Sequence, residues 1–243
     1  MVQPKRTCKV LRAYGRHLDQ RSETKMKGYN AIEFFYGVIF DQGIPADRAW
    51  NAPSELKKRI HHLDPHRIAK MKEKSLRKAI RHRKALHRFP NIMANYLIES
   101  SKLLVDRYRG KPENIWNDNP RAEDLQWRFD EFKGIGQKKS SMATNILVRH
   151  YGLSVRGINR RGIDVSSDMH VRRVFLRTGI IDRDSVRVTV DAARKLNPEY
   201  PGELDLPAWY IGRDFCHPKD PSCDKCPLTR VCSKRVNLNA SAA

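Results

Sequence analysis

Apolar residues along the chain recur every three to four positions and nowhere alternate convincingly, so the sequence reads as helices joined by turns. The first clearly buried segment is Ala31–Phe40, where Ile32, Phe34, Phe35, Val38, Ile39 and Phe40 suit a core helix apolar on most sides. Asp41-Gln42-Gly43-Ile44-Pro45 stops it. A short helix is expected from Ala46 to Trp50, a turn at Asn51-Ala52-Pro53-Ser54, and another helix from Ser54 to about His62. Ile92, Met93, Tyr96, Leu97, Leu103, Leu104 and Tyr108 then keep a helical period up to Arg109-Gly110. After a polar connection, Lys111–Arg121, one helical pattern runs from Glu123 to Phe132. A second runs from Gln137 towards His150, with Met142, Ile146 and Leu147 inward. Leu153–Val165 reads as a loop rich in Arg and Gly, carrying Arg156, Gly157, Arg160, Arg161 and Gly162. Two more helices are expected over Met169–Arg177, closed by Gly179, and about Ser185–Leu196. Residues 1–29 are basic and poor in apolar positions. Val10, Leu11, Tyr14 and Leu18 form one stripe there, so part of this arm is expected to dock as a helix and part to fray. The pattern predicts an all-α fold.

Composition narrows the partner. With 243 residues the chain can build one sizeable core or two small lobes. Its 48 Lys and Arg against 27 Asp and Glu give a formal net charge of +21. Such a surplus repels itself unless something acidic is bound, and nucleic acid is the usual partner. An anionic membrane is the alternative, but no apolar run approaches the ~18 residues of a spanning helix. Met1–Arg16 has no apolar core resembling a signal peptide, so a cytoplasmic or nucleoid location is expected. Between Arg67 and Arg88 ten cations stand against Glu73 alone; the run reads as a phosphate-contacting face or a merely solvated one. Phe89-Pro90 ends it.

Two stretches carry chemistry. Gly134-Ile135-Gly136 joins two helices by a turn tight enough to need glycine, with the N–H groups of Gly134, Gly136 and Gln137 at a helix N-terminus. Such an end suits an anion such as a polynucleotide phosphate, although by itself it reads first as an ordinary αα-turn. Near the C-terminus Cys216, Cys223, Cys226 and Cys232 are spaced C-x6-C-x2-C-x5-C. Four thiolates so close in sequence can hold either a tetrahedral zinc or a [4Fe–4S] cluster. Cys8 stands apart and reads as a small buried hydrophobe.

Together these stretches resemble the endonuclease III branch of the helix-hairpin-helix DNA glycosylases. The resemblance rests on Gly134-Ile135-Gly136-Gln137-Lys138, then Ser167-Asp168-Met169-His170-Val171, then Gly212-Arg213 and the four cysteines, in that order, over roughly residues 30–233. It implies a two-lobed helical fold. A barrel would span residues 30–155; residues 1–29 and 156–243 would form a cluster lobe, with Lys138 and Asp168 facing each other across the cleft. It implies that Lys138 is the nucleophile, Asp168 the carboxylate beside it, and the four cysteines ligands of a [4Fe–4S] cluster, with zinc the runner-up. Gly134, Gly136, Gln137 and Lys139 would meet the DNA backbone. Gln42 would fill the gap left by a flipped nucleotide, and Phe89 is a candidate second wedge.

The implied function is excision of a damaged or modified base from duplex DNA by a monomer, with AP-lyase cleavage through a lysine Schiff base. The alternatives are a monofunctional glycosylase acting on uracil, thymine or adenine mispairs, and a non-catalytic iron–sulfur DNA-binding protein. The residue types suit the chemistry. A glycosidic bond breaks through a cationic state that a carboxylate stabilises, and a lysine attacks only when neutral, a form favoured by burial and by cations such as Lys133 and Lys139. Asp168 also reads as a helix N-cap, and His170 as a structural residue. Two departures stand out. Lys133 and Lys139-Ser140 replace the family's Pro and Thr-Ala, and Ser-Asp-Met-His replaces Val-Asp-Thr-His, with Asp164 nearby as a competing carboxylate.

Overall fold

The helical period is realised as eleven α-helices among the described residues, which in this computed structural model are 2–26, 29–156 and 161–235, with side chains described at 3–18, 29–156 and 161–235. They are α1 (Val2–Met26), α2 (Ala31–Phe40), α3 (Ala46–Ile60), α4 (Pro65–Ile68), α5 (Glu73–Arg81) and α6 (Pro90–Tyr108), followed by α7 (Ala122–Asp130), α8 (Gln137–His150), α9 (Met169–Thr178), α10 (Val186–Leu196) and α11 (Asp205–Asp214). No strand occurs among the described residues; Arg121 and Arg156 share one isolated bridge. Gly157 and Arg160 of the expected Arg-rich loop lie outside the described residues, as do the ends of the expected cluster lobe at 1, 27–28 and 236–243.

The chain divides into two compact units. A hairpin unit comprises Lys27–Pro120 and Asp124–Ala143, and a cysteine unit comprises Met1–Met26, Arg121–Glu123 and Thr144–Ala243. The division therefore falls inside α8, at Ala143/Thr144, rather than at the expected residue 155. The cause is packing: Val148 joins Ala122, Ile163 and Tyr200 in a small apolar cluster of the cysteine unit. Asn145 binds there too, donating to the Gly202 carbonyl at 2.8 Å.

In the hairpin unit α2 is the central element. Asn30 caps it by accepting from the Glu33 backbone N–H at 3.0 Å, in the Asn-x-x-Glu pattern of a helix start. Phe34, Phe35, Tyr36, Val38, Ile39 and Phe40 are all buried, and each such side chain contributes about 1.5–3 kcal/mol. Phe35 meets Phe132 edge-on at 4.8 Å, which anchors the approach to the hairpin. Gly37 lets the Trp50 ring lie so close that a Cβ there would stand 2.6 Å from it. The expected break at Asn51–Ser54 does not occur. Helix α3 runs through Pro53, because Ala49, Trp50, Ala52, Pro53 and Leu56 form its buried face, and that packing outweighs the carbonyl left without an N–H partner. Helix α5 buries Leu76 and Ile80 and leaves its cations outward.

The cysteine unit has its own core, including Leu11, Val171, Val174, Phe175, Ala193, Leu204, Ala208, Ile211 and Leu228. The basic N-terminal arm, expected to be only partly helical, is one helix over Val2–Met26, and Leu11 and Leu18 are buried. Cys8 lies in this core, its thiol directed at the Leu196 carbonyl at 3.7 Å, and burial pushes its pKa up. Gly212 allows α11 to cross α9 closely, since a Cβ there would stand 2.6 Å from that of His170.

Candidate functional site

The hairpin between α7 and α8 uses its glycines differently. Gly134 has φ +81°, and a Cβ there would stand 2.2 Å from the Tyr96 ring, so only glycine fits. Gly136 is exposed with no such neighbour: the nearest atom to a Cβ there would be an Asp130 oxygen at 4.0 Å. Its role is to leave room on the surface, not to satisfy the turn. Ile135 is buried between them, and its N–H donates to the Phe132 carbonyl at 3.0 Å. The Gly136 carbonyl accepts from Ser140 at 2.9 Å, which starts α8 and leaves first-turn N–H groups at its positive end. The Gln137 side chain lies along its own helix, donating to Ser141 Oγ at 3.1 Å, and Ser141 donates to Gln126 Oε1 at 2.7 Å. That chain fixes α7 to α8.

Lys138 and Lys139, in the first turn of α8, both reach the C-terminal end of α2. Lys138 Nζ donates to Asp41 Oδ2 at 2.8 Å; the lysine side chain is 36% exposed and the aspartate 10%. Lys139 Nζ is buried and donates to the Ile39 carbonyl at 2.7 Å and to Gln42 Oε1 at 3.3 Å. Burial is the main cause that lowers its pKa to about 7; the nearby charge of Asp41 opposes the shift and that of Lys138 adds to it. The expected DNA contact through Lys139 is thus not offered by this arrangement, because its amine points into the protein and is spent on a helix end.

Gln42 and Phe89 are brought together by a residue the sequence reading passed over. His87 is buried; its Nδ1 accepts from the Phe89 backbone N–H at 3.1 Å, so its Nε2 carries the proton and donates to the Gln42 carbonyl at 2.6 Å. Burial lowers the His87 pKa, in keeping with a neutral ring. Phe89 is exposed, with the Arg88 guanidinium 4.9 Å from its ring centre and Gly43 against its edge. Asp41 and His87 gave little signal in sequence. Asp41 read as part of a helix stop, and His87 lies unremarked inside the basic run.

In the cysteine unit Asp168 caps α9, accepting from the backbone N–H groups of His170 at 2.6 Å and Val171 at 3.2 Å. The competing Asp164 is held by the Arg194 guanidinium through bonds of 2.7 and 2.8 Å. Next to Asp168 stands a second carboxylate missed in sequence, Asp205 at the start of α11. Burial, and secondly the negative charge of Asp168, push its pKa up to about 7, although the Asn145 amide and the Ser166 N–H bind it. The sequence signal was an acid between two leucines, Leu204-Asp205-Leu206, where a solvated acid is unexpected. His170 is half-buried, its Nδ1 2.9 Å from Arg173 Nη2.

The four cysteines line one small pocket, together with Arg177, Phe215, Pro221, Thr229 and Lys234. Arg177 Nη1 approaches Cys216 Sγ at 3.5 Å and the Lys234 N–H donates to Cys232 Sγ at 3.3 Å, contacts that favour thiolate. Burial is the first cause that raises the Cys226 pKa to about 11; the Leu228 backbone opposes it, and the charges of Cys216, Cys232 and Cys223 add to it. Among the described residues no three His, Cys, Asp or Glu side chains gather closely enough for a single metal ion. A zinc ion needs its thiolates about 2.3 Å away, whereas a cubane cluster spreads its four irons to ligands set wider apart. Four thiols lining one pocket are a donor set that suits either group.

Comparison with known proteins follows the same lines. Residues 36–199 match the family of HhH-GPD superfamily base excision DNA repair proteins. Endonuclease III of Thermotoga maritima is 26% identical over 140 residues, which cover 57% of this chain and 55% of that protein. Endonuclease III of Rickettsia conorii is 24% identical over 176 residues, 72% and 71% of the two chains. The chain thus spans little more than half the length of the Thermotoga relative it matches. A trapped endonuclease III–DNA covalent intermediate superposes with a TM-score of 0.70 at 18% identity, covering 98% of this chain and 99% of that one. A thermostable thymine-DNA glycosylase superposes with a TM-score of 0.65 at 14% identity, 96% of each chain being covered. Those two likenesses concern the fold, which is that of the helix-hairpin-helix glycosylases. With most of its length inside the family match, the chain belongs to the HhH-GPD superfamily of base excision DNA repair proteins.

Proposed function

We propose that this protein is a DNA glycosylase that removes a damaged or modified base from duplex DNA and then nicks the strand as an AP lyase. The observation that carries the reading is the position of Lys138, in the first turn of the helix that leaves the Gly134–Gly136 hairpin. The N–H groups of that turn grip a backbone phosphate, and the grip sets the register of the lysine. The neutral Lys138 amine attacks C1′ as the glycosidic bond breaks, and the base departs with the bonding electrons and takes up a proton. The sugar ring opens to a Schiff base, a C2′ proton is lost, and the 3′ phosphate is expelled by β-elimination. Asp168, held rigid by two N–H bonds, supplies negative charge to the cationic sugar. Gln42 and Phe89, joined through His87, fill the duplex where the base has left it.

Cys216, Cys223, Cys226 and Cys232 would hold a [4Fe–4S] cluster, which when bound cross-links the C-terminal loop. The protein acts as a monomer on DNA inside the cell. Borohydride added during turnover should trap a covalent protein–DNA adduct. Lys138→Gln should abolish it while leaving DNA binding in place, and an undiminished adduct in that variant would overturn the assignment. A brown colour with an absorption band that disappears on cysteine substitution tests the cluster.

A second reading is favoured by the bond between Lys138 and Asp41. An ion-paired ammonium is not a nucleophile, so a monofunctional glycosylase, acting on a mispaired base through an activated water, is the alternative. Release of the base with the strand left intact selects it.

A further inference from the structure

We propose that Asp41 is a positioning residue for Lys138: its carboxylate holds the lysine as an ammonium ion at the hairpin exit and sets the pH above which the amine is released for reaction. The inference rests on the reading of Lys138 as the reactive amine and adds the group that restrains it.

Asp41 sits at a place where stability alone would not put an acid. It is the C-cap of α2, the negative end of that helix, and the last turn of α2 holds no basic residue. A carboxylate there is repelled by the helix carbonyls, and glycine or asparagine is the usual choice. It is also nearly buried, at 10% side-chain exposure, so it needs a partner. That partner is supplied from another helix, α8, at 2.8 Å. The neighbouring lysine serves the same helix end by capping Ile39, so two successive lysines of α8 divide the work. Lys139 answers the carbonyls, and Lys138 answers the carboxylate.

The charges that bear on the neighbouring Lys139 are those of Asp41 and Lys138, and those that bear on His87 are the basic Lys139, Arg48 and Arg88. Basic neighbours drive an amine towards its neutral form; an adjacent carboxylate does the opposite. Asp41 therefore works against the cations and keeps the proton on Lys138 until it leaves to water. In the released form, the amine can condense with the C1′ aldehyde of an abasic site, losing one water to give an imine. Borohydride delivers a hydride to that imine and leaves a stable secondary amine.

The test compares wild type with Asp41→Asn, which keeps the shape and removes the charge. The first readout needs no DNA: the pH dependence of Lys138 modification by a small amine-reactive reagent, measured peptide by peptide by mass spectrometry. The half-maximal pH should fall by about one unit or more in the variant, making Lys138 about tenfold more reactive at pH values below both midpoints. Lys58, paired with Glu55 on α3, should be unchanged and is the internal control. The second readout is borohydride trapping on a duplex with a preformed abasic site, whose pH profile should move by the same amount. An unchanged midpoint in Asp41→Asn overturns the proposal, as does a trapping rate lowered equally at every pH. If Asp41→Asn does not fold, Asp41→Ser removes the same charge, and Asp41→Glu should restore a midpoint near that of wild type. A modification midpoint that moves while neither protein traps DNA retains Asp41 as counter-ion and refutes Lys138 as the nucleophile. Trapping with an unmoved midpoint does the reverse.

Discussion

Both units of the protein contain a buried titratable side chain beside another of the same sign. In the hairpin unit Lys139 is buried next to Lys138, and in the cysteine unit Asp205 is buried next to Asp168. In both pairs the inner member has its charge weakened, to a pKa of about 7 from opposite directions, and desolvation is the first cause. The outer member is more accessible and has a hydrogen-bonded partner of its own: Asp41 for Lys138, two helix N–H groups for Asp168. Desolvation weakens the inner charge first, and the like charge beside it adds to the shift. The difference between the pairs lies in what satisfies the inner group. Lys139 donates to a helix carbonyl and a side-chain amide oxygen, whereas Asp205 receives the Asn145 amide and the Ser166 N–H.

The largest expected effect tests which member of the lysine pair does chemistry. Lys138→Gln should remove borohydride trapping outright, and Lys139→Met should keep it within about tenfold, since its loss costs a helix-end bond and not the nucleophile. The opposite ranking would make the buried, readily neutral lysine the reactive one and break the comparison at its first step. Next in size is stability against pH. A lysine whose pKa falls on folding from 10.5 to about 7 binds fewer protons folded than unfolded between those values. Its contribution to stability therefore rises as pH climbs from about 7 towards 10, by an amount on the order of a few kcal/mol. Denaturant midpoints of wild type should climb over that window, and those of Lys139→Met should stay flatter. Equal slopes would mean that Lys139 keeps its proton in the folded state.

Much of this was open to a reading of the sequence, because it depends on local order along the chain. The period of apolar residues gives α2 and α8 with their bounds, and Gly179 marks the end of α9 with φ +75°. The four cysteines, close in sequence, do line one cavity. What escaped depends on partners distant in sequence. Pro53 reads as a break until the buried face of α3 is known. Lys139 reads as a surface cation because nothing local says that its amine reaches Ile39, a hundred residues earlier. Asp41 is 97 residues from the lysine it holds. The inward residues expected on α8 were the apolar Met142, Ile146 and Leu147. Met142 and Ile146 are only half-buried, while Ser141, Thr144 and Asn145 are buried, for that face is lined with hydrogen bonds as well as apolar contacts.

The smallest expected effect concerns Asp205 and decides whether the two units obey one rule. Its pKa rises from 3.8 to about 7 on folding, so between those values the folded chain holds a proton that the unfolded chain has lost. The stabilisation from this group is complete below about pH 4 and is lost as pH rises through 7, the reverse of the trend from Lys139. Asp205→Asn keeps the size and a donor and acceptor for Asn145 and Ser166 but cannot ionise. The variant should therefore gain on wild type as pH rises from 4 to 7, by up to a few kcal/mol and slightly less than the change seen for Lys139, because the shift from 3.8 to about 7 is smaller than that from 10.5 to about 7. Denaturation of both proteins at pH 4, 5.5 and 7 measures the difference. A difference that stays constant would mean that Asp205 remains ionised beside Asp168, with Asn145, Ser166 and the positive charge of Arg149 carrying the cost. In that case the cysteine unit keeps two neighbouring carboxylates charged, and the two units do not obey one rule.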